Sequence, residues 1–140
     1  MFEPKEKNKL KAIPRDKAVE ELEKWFEAKK ISGNKRKTNE DIEEELVDAI
    51  EDGYLVLNDD HTWTQKLKFP IDNANVSELR HAFRINIGVL NAKLRGVKID
   101  DIAKRVQSYV CVLTDQPNAV VGSLDTVDYS IASSIATYFF

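Results

Sequence analysis

The sequence predicts an α+β fold, mostly helical, with one β-hairpin between N-terminal and C-terminal helices. Apolar residues recur every three or four positions from Ala18 to Ile50 and again after Leu79, whereas the period drops to two between Tyr54 and Phe69. Gly53, Pro70 and Pro117 fall where the pattern changes. A chain of 140 residues has the length of one ordinary domain. The expected organisation is a flexible charged arm over 1–12 and a single α+β domain over 13–140.

The arm is expected because the first residues alternate Lys, Glu and Asn with little to bury. From Pro14 or Asp16, the residues Ala18, Val19, Leu22, Trp25 and Phe26 form one apolar stripe, a helix to about Ile31. Ser32 to Lys37 reads as a basic loop, and Thr38, with Asp41 three residues on, as the N-cap of a second helix. That helix carries Ile42, Leu46, Val47 and Ile50 and is closed by Gly53. Tyr54 to Leu57 and Thr62 to Phe69 read as the two hairpin strands around an Asn58-Asp59-Asp60-His61 turn. Beyond the polar connection Asp72 to Asn75, the steps Leu79, Phe83, Ile87, Leu90 and Leu94 predict a long helix from Ser77 to Arg95. Ile102, Val106, Val110 and Leu113 predict another from about Asp100, and Pro117 a new short turn. Ser123 or Asp125 then caps a last helix bearing Val127, Ile131, Ile135 and Tyr138.

Composition narrows the class. At 42% hydrophobic and 32% charged residues the chain reads as globular, and no apolar run approaches the roughly 18 residues of a membrane span. The N-terminus shows no basic start followed by an apolar segment, so the cytoplasm is the expected compartment. One cysteine, Cys111, can form no internal bridge and no structural zinc site. The net charge of −3 is too balanced for an obligate nucleic-acid binder. Locally it is uneven: 12 basic against 7 acidic residues through Lys37, then 10 acidic residues and no Lys or Arg from Asn39 to Asp60.

No pattern points to catalysis, and no metal or cofactor is expected. His61 and His81 fall in a turn and on a helix, with nothing in the spacing to bring them together. Cys111 sits between valines, the setting of an inert thiol. Asn58-Asp59-Asp60 lacks the glycine and glutamate of a calcium loop, and Asp100, Asp101, Asp125 and Asp128 read as helix caps. Two binding signals remain. A basic Lys35-Arg36-Lys37 loop beside a hairpin with Lys66 and Lys68 sketches a winged-helix DNA binder, but the adjoining helix carries Glu40, Asp41, Glu43, Glu44, Glu45, Asp48, Glu51 and Asp52, which phosphates repel. Nucleic acid is therefore disfavoured. The other signal is the aromatic ending Tyr138-Phe139-Phe140.

From Tyr54 to Phe140 the chain resembles the tail assembly chaperones of long-tailed bacteriophages. The resemblance is carried by Leu67-Lys68-Phe69-Pro70-Ile71, by Val76-Ser77-Glu78-Leu79-Arg80, and above all by Leu113-Thr114-Asp115-Gln116-Pro117 followed by Leu124 to Tyr129. It implies a non-enzymatic cytoplasmic protein of a phage or prophage that binds the tape measure protein, keeps it soluble, and is displaced during tail assembly. The expected partner residues are Ile131, Ile135, Tyr138, Phe139 and Phe140 at one end and Leu22, Trp25 and Phe26 at the other. Homo-oligomerisation is left open. The alternatives are a phage structural protein of the tail or head-tail junction and, more remotely, a winged-helix regulator. Family members are often made in two lengths by ribosomal frameshifting, and Tyr138-Phe139-Phe140 permits the slippery heptamer T-TTT-TTT.

Overall fold

Helix α1, Arg15–Lys29, begins where Pro14 fixes an extended entry and buries Ala18, Leu22, Trp25 and Phe26 on one face. It stops at Lys30, whose φ of 59° turns the chain left-handed. The computed structural model describes residues 12–140. The expected arm over 1–12 lies outside them except for Ala12, whose N–H donates to the Glu51 carbonyl at 2.8 Å.

The expected basic loop is instead a short helix, α2, Gly33–Thr38. Ser32 caps it by accepting the Lys35 N–H at 3.2 Å. Arg36 then holds it down: its guanidinium donates to Glu23 and Glu43 and lies 4.5 Å from the centre of the Phe26 ring. Thr38 is not the cap of the next helix, because its hydroxyl donates back to the Asn34 carbonyl. Helix α3, Glu40–Glu51, starts one residue later, from Asn39, and buries Leu46, Val47, Ala49 and Ile50. Gly53, at φ +86°, closes it as expected.

The hairpin is part of a three-stranded antiparallel sheet in the order β1-β2-β3, with β1 at Leu55–Leu57, β2 at Trp63–Ile71 and β3 at Val76–His81. Leu57 pairs with Trp63, and Trp63 in turn with His81. β3 replaces the first half of the predicted long helix. Its cause is the short 3-10 turn Asp72–Ala74 ending on left-handed Asn75, which folds the chain back on β2. Leu79 and His81 then alternate inward with period two. The helix that remains, α4, is only Ile87–Leu94 and starts where Asn86 accepts the Val89 N–H at 2.9 Å. Pro70 does not end β2; it sits in an irregular stretch between Lys66 and Ile71, where the ladder has lost its register and a missing N–H is tolerated.

Helix α5, Ile102–Thr114, is capped by Asp101, and after Pro117 comes the single turn α6, Asn118–Val121. Helix α7, Thr126–Ala136, is capped by Asp125 and tightens into a 3-10 turn over Thr137–Phe139. It lies between two apolar clusters. Ile131 and Ile135 pack with α1, α3, Leu55 and Trp63, whereas Ala132 and Ala136 pack with Leu90 of α4, α5 and Val121. A smaller cluster of Leu67, Ile71 and Leu79 lines the sheet.

Candidate functional site

A chain of buried polar groups ties α7 to the sheet. Asp128 is wholly buried in the first turn of α7, and its carboxylate accepts the N–H groups of Lys68 at 2.8 Å and Phe69 at 3.0 Å, in the irregular stretch of β2. Its carbonyl accepts from the Gln65 side chain at 3.0 Å, and Gln65 Oε1 lies 2.8 Å from Nε2 of His81. Because an amide oxygen only accepts, His81 donates through Nε2. Burial pushes its pKa down to about 3, so the ring is neutral near pH 7. Asp128 is thus not a helix cap but a latch for strand amides, since every backbone N–H out of water needs a partner. His81 is on β3 rather than on a helix. His61 is half-buried at φ 67° in the hairpin turn, with its ring 5.2 Å from that of Phe83. Cys111 is buried and donates to Asn118 at 3.2 Å; burial raises its pKa, which keeps it a thiol. Among the described residues no group of three or more His, Cys, Asp or Glu is placed to hold a metal ion.

The two sets of expected partner residues meet in one place, and that place is interior. Leu22, Trp25, Phe26, Ile131, Ile135 and Tyr138 are all buried in a single cluster. Tyr138 stands edge-on to Trp25 with ring centres 5.8 Å apart and lies 4.9 Å from Phe26. Phe139 is half-buried under the Lys29 ammonium, 3.8 Å from its ring centre. Of the eight, Phe140 alone is exposed. Its ring is 4.8 Å from Tyr109, and its carbonyl accepts from the Lys35 ammonium. Seven of the eight therefore present no docking surface in this arrangement, because helix α7 brings the C-terminal aromatics back across α1.

Besides Phe140, large apolar residues are exposed at Val19, Val56, Phe69 and Val127, and four more fall in a single stretch. Ile87 is 68% exposed, Val89 53%, Ile99 82% and Ile102 64%, and all four come from one stretch, the α4–α5 corner. Leu90 is the sole fully buried residue of α4, which packs mainly on α5. Two grooves flank α5. One, of about 500 Å³, is lined by Val89, Ala92, Lys93, Val112 and Pro117 among others. The smaller, about 100 Å³, is lined by Ile102, Arg105, Val106, Tyr109 and Phe140. The same stretch, 84–105, carries six cations, Arg84, Lys93, Arg95, Lys98, Lys104 and Arg105, against Asp100 and Asp101. None of the six has an ion-pair partner among the described residues, whereas Arg15, Lys24, Arg36 and Arg80 all do.

Sequence reasoning missed this corner because Ile87 and Leu90 fitted the stripe of a long buried helix. The signals that mark it are Asn86, a helix cap in mid-stripe, and isoleucines at 99 and 102 amid Lys98, Lys104 and Arg105. The basic loop fares differently: Arg36 is committed to Glu23 and Glu43, and Lys35 to the Phe140 carbonyl. No helix among the described residues is long and apolar enough to cross a membrane. Comparisons with models of protein families, with characterised proteins and with solved structures found no match to this chain.

Proposed function

We propose that this chain is a non-enzymatic tail assembly chaperone of a long-tailed bacteriophage, holding the tape measure protein soluble in the bacterial cytoplasm until tail tube subunits polymerise round it. The resemblance over Leu113 to Tyr129 suggests the family, and the exposed apolar corner at Ile87, Val89, Ile99 and Ile102 is the observation that carries the reading. Isolated apolar side chains are ordinary on a protein surface, but four within one short, thinly anchored segment beside two grooves suit a partner. The function asked of such a surface is burial of a client's apolar stripe. Modest grooves permit release without a chemical step, because small interfaces exchange readily.

A winged-helix regulator is the weaker reading. Its docking region would include α3, where Glu40, Asp41, Glu44 and Asp48 are exposed, and its basic segment is tied down through Arg36.

The test is co-expression with the tape measure gene of the same genome. The soluble fraction of tape measure protein should rise several-fold with the wild-type chain and should fall back with Ile99→Ser and Ile102→Ser together. No change in solubility on adding the wild-type chain would refute the assignment.

A further inference from the structure

The charge pattern around the apolar corner says which client it would take. Fixed cations with no partner of their own raise the local positive potential, and a surface of this kind selects the complementary sign. Lys93, Arg95, Lys98, Lys104 and Arg105 flank the exposed Ile99 and Ile102 along the chain, whereas Arg84 lies beside Lys29 at the end of α1; of the two carboxylates in the stretch, that of Asp101 accepts the Lys104 N–H at the start of α5. Elsewhere Arg15, Lys17, Lys24, Arg36 and Arg80 are paired internally, Arg36 with both Glu23 and Glu43, while Lys30, Lys37, Lys66 and Lys68 make no ion pair among the described residues but are not clustered in one stretch. Two of the four exposed apolar residues line grooves, Val89 the larger and Ile102 the smaller. The larger groove carries Lys93 together with Asp115 and Gln116 on its wall; the smaller is an apolar slot with Arg105 on its wall and no acidic side chain.

We propose that the α4–α5 corner receives an acidic amphipathic helix of a partner protein, its apolar side chains seated in the two grooves and its flanking carboxylates on the unpaired cations. Side chains spaced three and four apart on a helix present just such an alternation of apolar stripe and charged margin. A bilayer or a duplex lacks side chains to fill slots on either side of α5. The inference deepens the chaperone reading and rests on it: the client segments would be those whose apolar stripe is bordered by Asp and Glu.

The probe is a fluorescein-labelled peptide of about twenty residues, roughly 30 Å of helix, with a leucine stripe bordered by Glu; its control has Lys at the same positions. Binding to the full chain is read by fluorescence anisotropy. The Glu peptide should bind at least about tenfold tighter than the Lys peptide, with the difference shrinking as salt screens it. Lys98→Glu with Lys104→Glu should erase the preference. Ile99→Ser with Ile102→Ser should weaken both peptides. All four positions are exposed, and a glutamate at 104 lies in the first turn of α5, where it favours the helix. Circular dichroism of each variant verifies that it is folded.

Equal binding of the two peptides, a preference for Lys, or no binding would overturn the inference. So would binding to phosphatidylglycerol vesicles with the Glu peptide inert, which would assign the corner to a lipid surface, or to DNA with the peptide inert. A concentration-dependent dimer abolished by the isoleucine substitutions would assign it to a second copy and overturn the inference too. The chaperone reading fails separately. A tape measure protein kept soluble by a chain indifferent to peptide charge sinks only this inference. Selective Glu-peptide binding without any effect on a tape measure protein sinks only the identity of the client.

Discussion

Replacing Asp128 by Ala should destabilise the fold more than any surface substitution. The carboxylate accepts two N–H groups, from Lys68 at 2.8 Å and Phe69 at 3.0 Å, at the point where β2 has no regular ladder partner. Alanine offers them nothing. A lost hydrogen bond to a charged group is worth about 1.5–3 kcal/mol, and leaving a buried donor unsatisfied costs about 1–3 kcal/mol. Lys68 and Phe69 have exposed side chains, so water can reach part of this segment, and the lower half of each range applies. Two such losses come to about 3 kcal/mol. For a domain of this size that corresponds to a fall in Tm of roughly 6–12 °C. Asp128→Asn keeps one acceptor, turns a donor toward the other N–H, and should lose at least half as much. Urea unfolding followed by the fluorescence of Trp25 and Trp63, both buried, reports the whole core at once. A loss below about 1 kcal/mol for Asp128→Ala would refute the assignment of this side chain as the latch between α7 and the sheet.

Acid should loosen the same region, because burial holds the folded pKa of His81 at about 3 while the unfolded value is near 6.5. The unfolded chain binds the extra proton, so stability falls as pH drops from about 6.5 toward 3. His81→Gln, which can still donate to Gln65, should flatten that part of the pH–stability curve, and an unchanged slope would count against it. Lys29 works in the opposite range. Burial, and then the nearby Arg84 charge, lower its pKa to about 8, so stability should rise with pH between about 8 and 10.5 as the unfavourable ammonium is relieved. Lys29→Met should remove this rise relative to wild type; identical urea midpoints for the two proteins across that window would refute it. Gly53→Ala should destabilise by about 1–2 kcal/mol, because φ is +86° and a Cβ would meet that of Ala12 at 3.0 Å. A thermal midpoint within a degree of wild type would show that the turn relaxes.

Four helices were legible as periodic stripes because each pays its apolar face into the core: Leu22 with Trp25, Leu46 with Ile50, Val110 with Leu113, Ile131 with Ile135. β3 was not, for a specific reason. Leu79, Phe83, Ile87, Leu90 and Leu94 step as a helix does, and nothing in that spacing reveals that Asn75 turns left-handed and Asn86 caps a fresh helix. Local hydrogen-bonding side chains overrode the periodicity, as they do wherever Asn begins or ends an element. Helix α2 escaped because its stability comes from Arg36 reaching Glu23 and Glu43, contacts with no signature in the stretch 32–38. The aromatic residues at the two ends were expected to meet a partner, and all but Phe139 and Phe140 are instead buried. That they pack against one another is decided by tertiary path, since 112 positions separate Phe26 from Tyr138.

That path also orders events on the ribosome. Trp25, Phe26, Leu46 and Ile50 emerge early, but the residues that cover them, Ile131, Ile135 and Tyr138, belong to the last helix. About 85 residues lie between Ile50 and Ile135, and translation at about 5–20 residues per second makes that an interval of roughly 4–17 s. Throughout it, the nascent N-terminal helices display an aromatic face that the finished domain hides. A message broken anywhere upstream of α7 would release a chain with that face permanently bare, a species whose fate is precipitation or proteolysis rather than partial activity.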